Sequence, residues 1–372
     1  MPVPMDEFPL HQHPVSFAHV GTSDRNFYDR SYFNGHDRTG EIFFITGYGA
    51  YPNLGVKDAY FTLRIGDKSF TVRASDALDD DRMNTQVGFY KHEVIEPLKV
   101  IRLSGTGDEH GIGFDLTWRG SFPAVDEPRH IILQGAARQL VDAQRFAQVG
   151  TWEGEIRVDG RVIEVNPDTW VGSRDRSWGI RPVGEGEPAG RFAAEQDNFG
   201  MFWLYAPIRF DDYAIVVIVQ EDADGHRILN EASRVWPAES GRKPEQLGWP
   251  RFEINYKSGT RIPTTAVMHL TEPDGKPLDV EIDNLGFISL NCGPGYGADP
   301  EWTHGTWKGR GWTDGSSLDY NDDAVKGRIP FSLLDHVTKA TIGTDVGYGL
   351  FEHGLIGTYR PFGFNDFFAV AP

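Results

Sequence analysis

A run of ten residues just before the midpoint of the chain combines side chains that could exchange a proton in an apolar setting. Residues 172–181 contain three arginines, one aspartate, one tryptophan and two glycines. An unpaired carboxylate among apolar groups is costly, so Asp175 is expected to be buried and paired with one of these arginines. Two interpretations stay open: a structural ion-pair network under Trp178, or a catalytic carboxyl at Asp175 with the Trp178 ring facing a developing cation.

A second candidate group lies near the end of the chain, where residues 348–359 form a predicted strand. Because side chains alternate along a strand, Tyr348 and Glu352 share one face and His353 lies on the other. A desolvated carboxyl has a raised pKa and can hold a proton near neutral pH, as a general acid must. Glu352 is therefore a candidate catalytic acid, with Tyr348 and His353 as candidate substrate-binding residues. The alternative is a structural hydrogen bond that Glu352 accepts from the arginines of the other barrel.

Three tryptophans spaced by glycines make a third group, within a predicted aromatic strand over residues 301–312. Indole rings that alternate with small residues can line a hydrophobic ligand cavity. Trp302 and Trp307 are accordingly candidate substrate-binding residues, and the alternative is that they fill a core.

These groups also carry a family resemblance. The form Arg-Asp-x-Ser-Trp-Gly-x-Arg at 174–181 resembles the signature of the carotenoid hydratase (hydroxyneurosporene synthase) and AttH-like superfamily. Residues 154–160 resemble the strand and turn before that signature, and residues 347–354 resemble its closing Gly-x-Gly-x-x-Glu strand. The resemblance implies an all-β fold of two consecutive lipocalin-like antiparallel β-barrel domains. Arg176 stands where the hydratases have histidine, and since arginine does not release a proton at ordinary pH, it is expected to hold the carboxyl or bind a polar substrate group.

The elements that would position these residues are short strands joined by tight turns. Two-residue turns are predicted at Gly66-Asp67 and Asp159-Gly160, and another turn at Asp274-Gly275. Residues 215–219 are apolar on both faces and predict a strand that is covered on both sides. Residues 131–148 fit either a short helix or extended structure.

Length and composition bound the domain count and the partners. A chain of 372 residues exceeds one typical core, and two domains of about 180 residues each are expected. We place them at 1–188, with an irregular arm over about the first 30 residues, and at 189–372, divided in a glycine-rich interval. The net charge of −18 argues against nucleic acid and anionic membranes as partners. The aromatic content of 13% favours β-structure with apolar pockets.

The sequence gives no support to cofactor or metal chemistry. It lacks phosphate, dinucleotide and zinc motifs, and Cys292 is its one cysteine. Neither a signal peptide nor a membrane span is recognisable, so a cytoplasmic protein is expected. We predict a cofactor-independent enzyme that acts by proton transfer on a hydrophobic terpenoid, polycyclic or aromatic molecule, as a hydratase, isomerase, cyclase or lyase. The alternative is a non-catalytic lipocalin-like carrier of a hydrophobic ligand. The orientation of Asp175 and Glu352 towards a cavity would distinguish them, and the oligomeric state stays open.

Overall fold

The computed structural model describes residues 3, 5, 9–106, 110–134, 138–187, 199–297 and 299–372. Regular structure in these ranges is nearly all β, in two curled antiparallel sheets that each form a half-barrel. The predicted all-β fold of two consecutive lipocalin-like barrels is confirmed. Helical segments are short: Asp323–Lys326, Ala238–Ser240, Ile329–Phe331 and Arg360–Phe362. In the described ranges no helix has the length and hydropathy to cross a bilayer.

The strands are numbered in chain order. Those up to the end of the first half are β1 (Phe27–His36), β2 (Ile42–Tyr51), β3 (Val56–Ile65), β4 (Lys68–Ala77), β5 (Gln86–Val87), β6 (Tyr90–Glu96), β7 (Val100–Gly105), β8 (Ile112–Gly120), β9 (Val125–Asp126), β10 (His130–Gln134), β11 (Arg138–Val158), β12 (Arg161–Val165) and β13 (Val171–Ile180). The others are β14 (Gly200–Arg209), β15 (Ala214–Asp222), β16 (Arg227–Val235), β17 (Glu245–Gln246), β18 (Arg251–Tyr256), β19 (Pro263–Thr271), β20 (Pro277–Ser289), β21 (Trp312–Asp319), β22 (Leu334–Ile342) and β23 (Asp345–Gly357).

Each half of the chain supplies most of one sheet. The first sheet has the order β21-β4-β3-β2-β1-β13-β11-β8-β7-β6-β5, with β9, β10 and β12 also paired to β11. The second has the order β17-β16-β15-β14-β23-β22-β20-β19-β18. One strand crosses between the halves, because β21 comes from the second half of the chain and pairs with β4 at the edge of the first sheet. The buried Arg73 of β4 forms ion pairs with Asp314 of β21 and with Glu301.

Alternation of side chains divides the apolar residues into three layers. Each sheet encloses an inner core, which includes Phe61 in the first sheet and Phe351 in the second. Side chains that point the other way, such as Tyr60 and Trp203, pack between the two sheets in what we call the intersheet layer. β15 shows why residues 215–219 are apolar on both faces, as predicted. Its side chains alternate between the second inner core and the intersheet layer.

The predicted hairpins at Gly66-Asp67 and Asp159-Gly160 are confirmed as the β3–β4 and β11–β12 connections. Asp159 and Gly160 have φ values of 47° and 73°, which is the pair of positive values that a type I′ turn requires. The turn at Asp274-Gly275 joins β19 to β20.

Two local expectations differ from the structure, and one open question is resolved. The N-terminal arm is shorter than predicted, because β1 already begins at Phe27. Residues 301–311 are not an aromatic strand. Gly305, Gly309 and Gly311 have positive φ values of 82°, 116° and 63°, which turn the chain repeatedly, and strand pairing begins only at β21. The ambiguous residues 131–148 are extended in β10 and β11, apart from 135–137, which lie outside the described ranges. The predicted domain boundary at 188/189 also lies outside them and stays a prediction.

The glycine that opens the signature run has a packing role. A Cβ atom added to Gly172 would lie 2.0 Å from the backbone oxygen of Asn34 on the neighbouring strand β1. We expect Gly172→Ala to lower the free energy of unfolding by about 1–3 kcal/mol, because two strands at the centre of the sheet would have to separate. Chemical denaturation measures this. Gly186→Ala is the control, since nothing lies within 4 Å of its added Cβ; equal midpoints for the two variants would contradict the close approach of β1 and β13.

Candidate functional site

A cavity of about 230 Å³ lies in the intersheet layer and receives side chains from both sheets. Asp175 of β13 and Glu352 of β23 both line it, so the two carboxyl groups singled out in the sequence meet in one place. The rest of the wall is Tyr28, Arg30, Tyr32, Pro128, His130, Ile132, Val141, Ala143, Arg145, Ser177, Arg181, Met201, Trp203, Gln220, Tyr296 and Leu333. The wall therefore combines apolar side chains with charged ones.

Strand register explains why these groups face each other. In the first sheet Tyr32 of β1 lies directly opposite Asp175 of β13. In the second sheet Glu352 of β23 lies between Tyr205 of β14 and Asp335 of β22. The two rows meet across the intersheet layer, where the Tyr32 hydroxyl donates a hydrogen bond of 2.5 Å to Oδ2 of Asp335.

Asp335 and Glu352 form a buried carboxyl pair. Burial, the charge of Glu352 and a hydrogen bond between the two groups raise the pKa of Asp335 well above its usual range. Burial also raises the pKa of Glu352 to about 7, with Arg145 opposing the increase and Asp175 adding to it. Asp335 thus holds its proton at neutral pH, whereas Glu352 can gain or lose one and opens into the cavity.

Arg145 is the central cation of the site. Its Nε lies 2.8 Å from Oε2 of Glu127, and its guanidinium lies over the rings of Trp203 and Tyr205 at 5.3 and 5.5 Å. Burial raises the pKa of Glu127 to about 7, although Arg145 lowers it. Burial likewise raises the pKa of Asp175, and Arg145 is the strongest of the cations that oppose that rise.

The expected pairing of Asp175 with its sequence neighbours differs from the observed arrangement. Arg174 and Arg176 point to the opposite side of the sheet, because adjacent residues of β13 alternate. Arg174 bonds to Gln148, and Arg176 Nη1 lies 2.8 Å from Asp29 Oδ1. Of the three arginines in the run, Arg181 shares the cavity with Asp175, while Arg145 comes from β11. Asp175 is half-buried, and its open side faces the cavity.

The other candidate residues lie elsewhere. Trp178 is on the same side of β13 as Arg176, in edge contact with Phe146. His353 lies in the second inner core, where its Nε2 is 2.9 Å from the Tyr256 hydroxyl and burial lowers its pKa to about 4. Tyr348 precedes Leu350 by two residues and lies on the same side of β23 as Glu352. The guanidinium of Arg38 lies over its ring.

The two tryptophan candidates are also outside the cavity wall. Trp302 is buried in the intersheet layer against His304, with ring centroids 5.2 Å apart. Trp307 is 48% exposed. The structure thus brings together Asp175 and Glu352, but none of the proposed tryptophans.

Sequence reasoning missed four residues of the site: Arg145, Glu127, Asp335 and Tyr32. Asp335 is the one that the sequence could have indicated, because it is a carboxyl group among the apolar residues of β22. The structure shows that it is fully buried. A buried carboxyl in such a strand requires a partner. The other three owe their place to pairing between distant strands, which no local pattern records.

A metal-like grouping occurs at the β15–β16 turn. Ligand atoms of Asp222, Asp224 and His226 lie within 4.8 Å of one another, and this is the one such group in the described part of the chain. Oδ1 of Asp222 accepts hydrogen bonds from the backbone N–H groups of Asp224 and His226. These bonds are those of an Asx turn, and they hold the connection between the two strands.

Comparison with known proteins gives a family and a distant structural likeness. No curated protein matches the chain. Crystal structures of CghA and of CghA with Sch210972 are each 10% identical to it, with a TM-score of 0.48, over 90% of this chain and 89% of that chain. Residues 3–365 match the model of a family of unknown function, DUF8625. The chain therefore belongs to the DUF8625 family.

Proposed function

We propose that this protein is an enzyme that transfers a proton to or from a small molecule in the intersheet cavity, with no cofactor. The observation that carries the proposal is that the Glu352 carboxyl lines the cavity beside Asp335, where burial raises its pKa to about 7. A group that is close to half-protonated at working pH is well suited to general acid or base catalysis. A carrier needs an apolar cavity, but it does not need such a carboxyl.

The neighbouring residues have distinct roles in this proposal. Glu352 donates the proton, and the Tyr32–Asp335 hydrogen bond holds its partner carboxyl in place. Asp175, across the cavity, accepts a proton or stabilises positive charge that develops on the substrate. Arg145 keeps Asp175 ionised while its own charge is balanced by Glu127. Asp335 and Tyr32 are positioning residues, because they act through Glu352.

The residues that line the intersheet cavity indicate the chemical class of the substrate. Ile132, Val141, Met201 and Leu333 offer apolar surface, and Arg30 and Gln220 offer polar contacts. We infer a molecule with an apolar body and one polar group. The resemblance of residues 174–181 to the carotenoid hydratase signature supports a terpenoid or other hydrophobic skeleton. Hydration, isomerisation, cyclisation and elimination are the reactions that a proton donor and acceptor can promote unaided.

Deuterium incorporation tests the function without knowledge of the substrate. The protein is incubated in D₂O with a small-molecule cell extract, and the products are returned to H₂O before mass spectrometry. Any of these reactions that places an enzyme-derived proton on carbon leaves a carbon-bound deuterium, whereas deuterium on oxygen or nitrogen washes out. We expect at least one compound to be labelled only when the protein is present. A compound that co-purifies with the protein but never acquires label would favour the carrier instead.

The ionisation of Glu352 can be measured directly. In NMR spectra of protein with ¹³C-labelled glutamate side chains, we expect one carboxyl signal to titrate near pH 7 and to vanish in Glu352→Gln. Burial also raises the pKa of Glu127 to about 7, so Glu127 should give a second such signal, which Glu127→Gln removes. Both groups bind protons more tightly in the folded chain. The stability that these two groups contribute is therefore fully present below the ordinary glutamate pKa and is lost as the pH rises to about 7. A Glu352 signal that titrates near its ordinary value of 4.5 would contradict the buried pair.

A further inference from the structure

A second cavity, of about 540 Å³, lies on the other side of β13 from the intersheet cavity. Its wall includes Tyr48, Ala50 and Ile101, which also belong to the inner core of the first sheet. Arg174 and Arg176 reach it, while Asp175 between them reaches the proton-transfer site. The volume falls within the roughly 300–1,000 Å³ of small-molecule sites.

Positive charge dominates this second cavity. Arg82, Arg174 and Arg176 line it, and among the lining residues that the structure describes Asp29 is the one carboxylate. Asp29 already pairs with Arg176, at 2.8 Å, and lies 3.9 Å from Arg82. The wall therefore keeps an excess of positive charge in a protein whose net charge is −18. Such a local reversal of sign attracts an anion.

Within the described residues, Arg82 and Arg176 lie near Asp29, whereas Arg174 has no ion-pair partner. The residue is only 4% exposed, and its Nε donates to Oε1 of Gln148 at 2.8 Å. Its Nη2 is buried and has no hydrogen-bond partner in the described ranges. Burial and the neighbouring Arg176 lower the pKa of Arg174 to about 10. A buried guanidinium nitrogen that lacks a partner is costly, and an anion in the cavity would remove that cost.

Much of the remaining wall is apolar and partly open, although His19, Ser31, Thr85 and His92 also line it. Val94, Leu98 and Met83 line the cavity and are 54%, 52% and 62% exposed. Phe146 lies beneath the Arg174 guanidinium, 5.2 Å from it. An anion held at Arg174 would thus have apolar surface around the rest of the molecule.

We propose that this second cavity binds an amphiphile with a carboxylate head group and an unbranched apolar chain, the head group contacting Arg174 and Arg176. The site is separate from the proton-transfer site and does not depend on the function proposed for it. Guanidinium groups match the planar carboxylate, and the apolar wall accommodates the chain.

Calorimetric titration with octanoate, 1-octanol and acetate tests the site. We expect octanoate to bind at least tenfold more tightly than octanol, which lacks the charge, and than acetate, which lacks the chain. Arg174→Met should remove the preference of octanoate over octanol. Arg119→Met, an exposed arginine outside the cavity, and Glu352→Gln should retain wild-type binding.

Three results would overturn the proposal: no binding of octanoate to the wild-type protein, equal binding of octanol, or unchanged octanoate affinity in Arg174→Met. The last would also be the outcome if octanoate occupied the intersheet cavity near Arg145. If Arg174→Met does not fold, the half-exposed Arg176→Met replaces it in the test, with a loss of at least threefold expected for octanoate and none for octanol.

Discussion

Replacing Arg145 by methionine is expected to lower the free energy of unfolding by about 3–5 kcal/mol, because the buried Glu127 would lose its ion-pair partner. The Glu127 side chain is 2% exposed, so its charge depends on the guanidinium for compensation. Asp175 and Glu352 lose the same nearby positive charge. Methionine keeps the length and much of the volume of the side chain, which limits the loss of packing against Trp203 and Tyr205.

The pH dependence separates this electrostatic effect from a packing defect. Arg145 lowers the pKa of Glu127, which is nevertheless about 7. The ion pair therefore exists mainly above that pH, and the destabilisation should be largest there and shrink as the pH falls below it. Denaturant titrations across this range measure the difference between variant and wild type. Arg119→Met, which removes a solvent-exposed pair with Glu153, should leave stability nearly unchanged. A loss that is the same at every pH would attribute the effect to packing alone.

Replacing Glu352 by glutamine is expected to reduce turnover by about 10²–10⁴-fold, the usual contribution of a positioned general acid. Glutamine preserves the shape of the side chain but cannot donate an acidic proton. Deuterium incorporation into the compound labelled by the wild-type protein gives the rate. Because the reaction requires protonated Glu352, the wild-type rate should decline as the pH rises through about 7.

Glu281→Gln is the matched control, an exposed carboxyl on β20 of the same sheet, and should retain full activity. Asp175→Asn distinguishes the second carboxyl. A large loss there would make Asp175 a proton acceptor or a charge stabiliser, whereas wild-type turnover would confine the chemistry to Glu352. Full turnover in both Glu352→Gln and Asp175→Asn, in folded protein, would exclude the proton-transfer mechanism and favour a carrier.

The parts of the fold that could be predicted are those that local sequence patterns determine. The Asp159-Gly160 hairpin follows from two residues that tolerate positive φ, and the two-sided apolar run at 215–219 follows from burial on both faces. Residues 301–312 were misjudged because aromatic alternation indicates a strand only where the backbone can stay extended. Gly305, with a φ of 82°, breaks it there.

The site was predictable only where a single strand determines it. Alternation along β23 correctly separates Glu352 from His353, and the charge of residues 172–181 marks Asp175. The same alternation, applied to β13, would have excluded Arg176 from the neighbourhood of Asp175. Arg145 and Asp335 come from β11 and β22, and their approach depends on how the two sheets pack. That packing depends on the whole chain, so no local sequence motif predicts it.

The pairing of β21 with β4 has a consequence for synthesis of the protein. As the chain leaves the ribosome, β4 is complete long before residues 312–319 exist, so the edge of the nascent first sheet stays unpaired while most of the second half is translated. During the same interval Arg73 of β4 lacks its ion-pair partner Asp314. The first half of the chain, expressed alone, would expose this edge and a buried arginine without its carboxylates. The first sheet can therefore be completed only after β21, in the second half of the chain, has been synthesised.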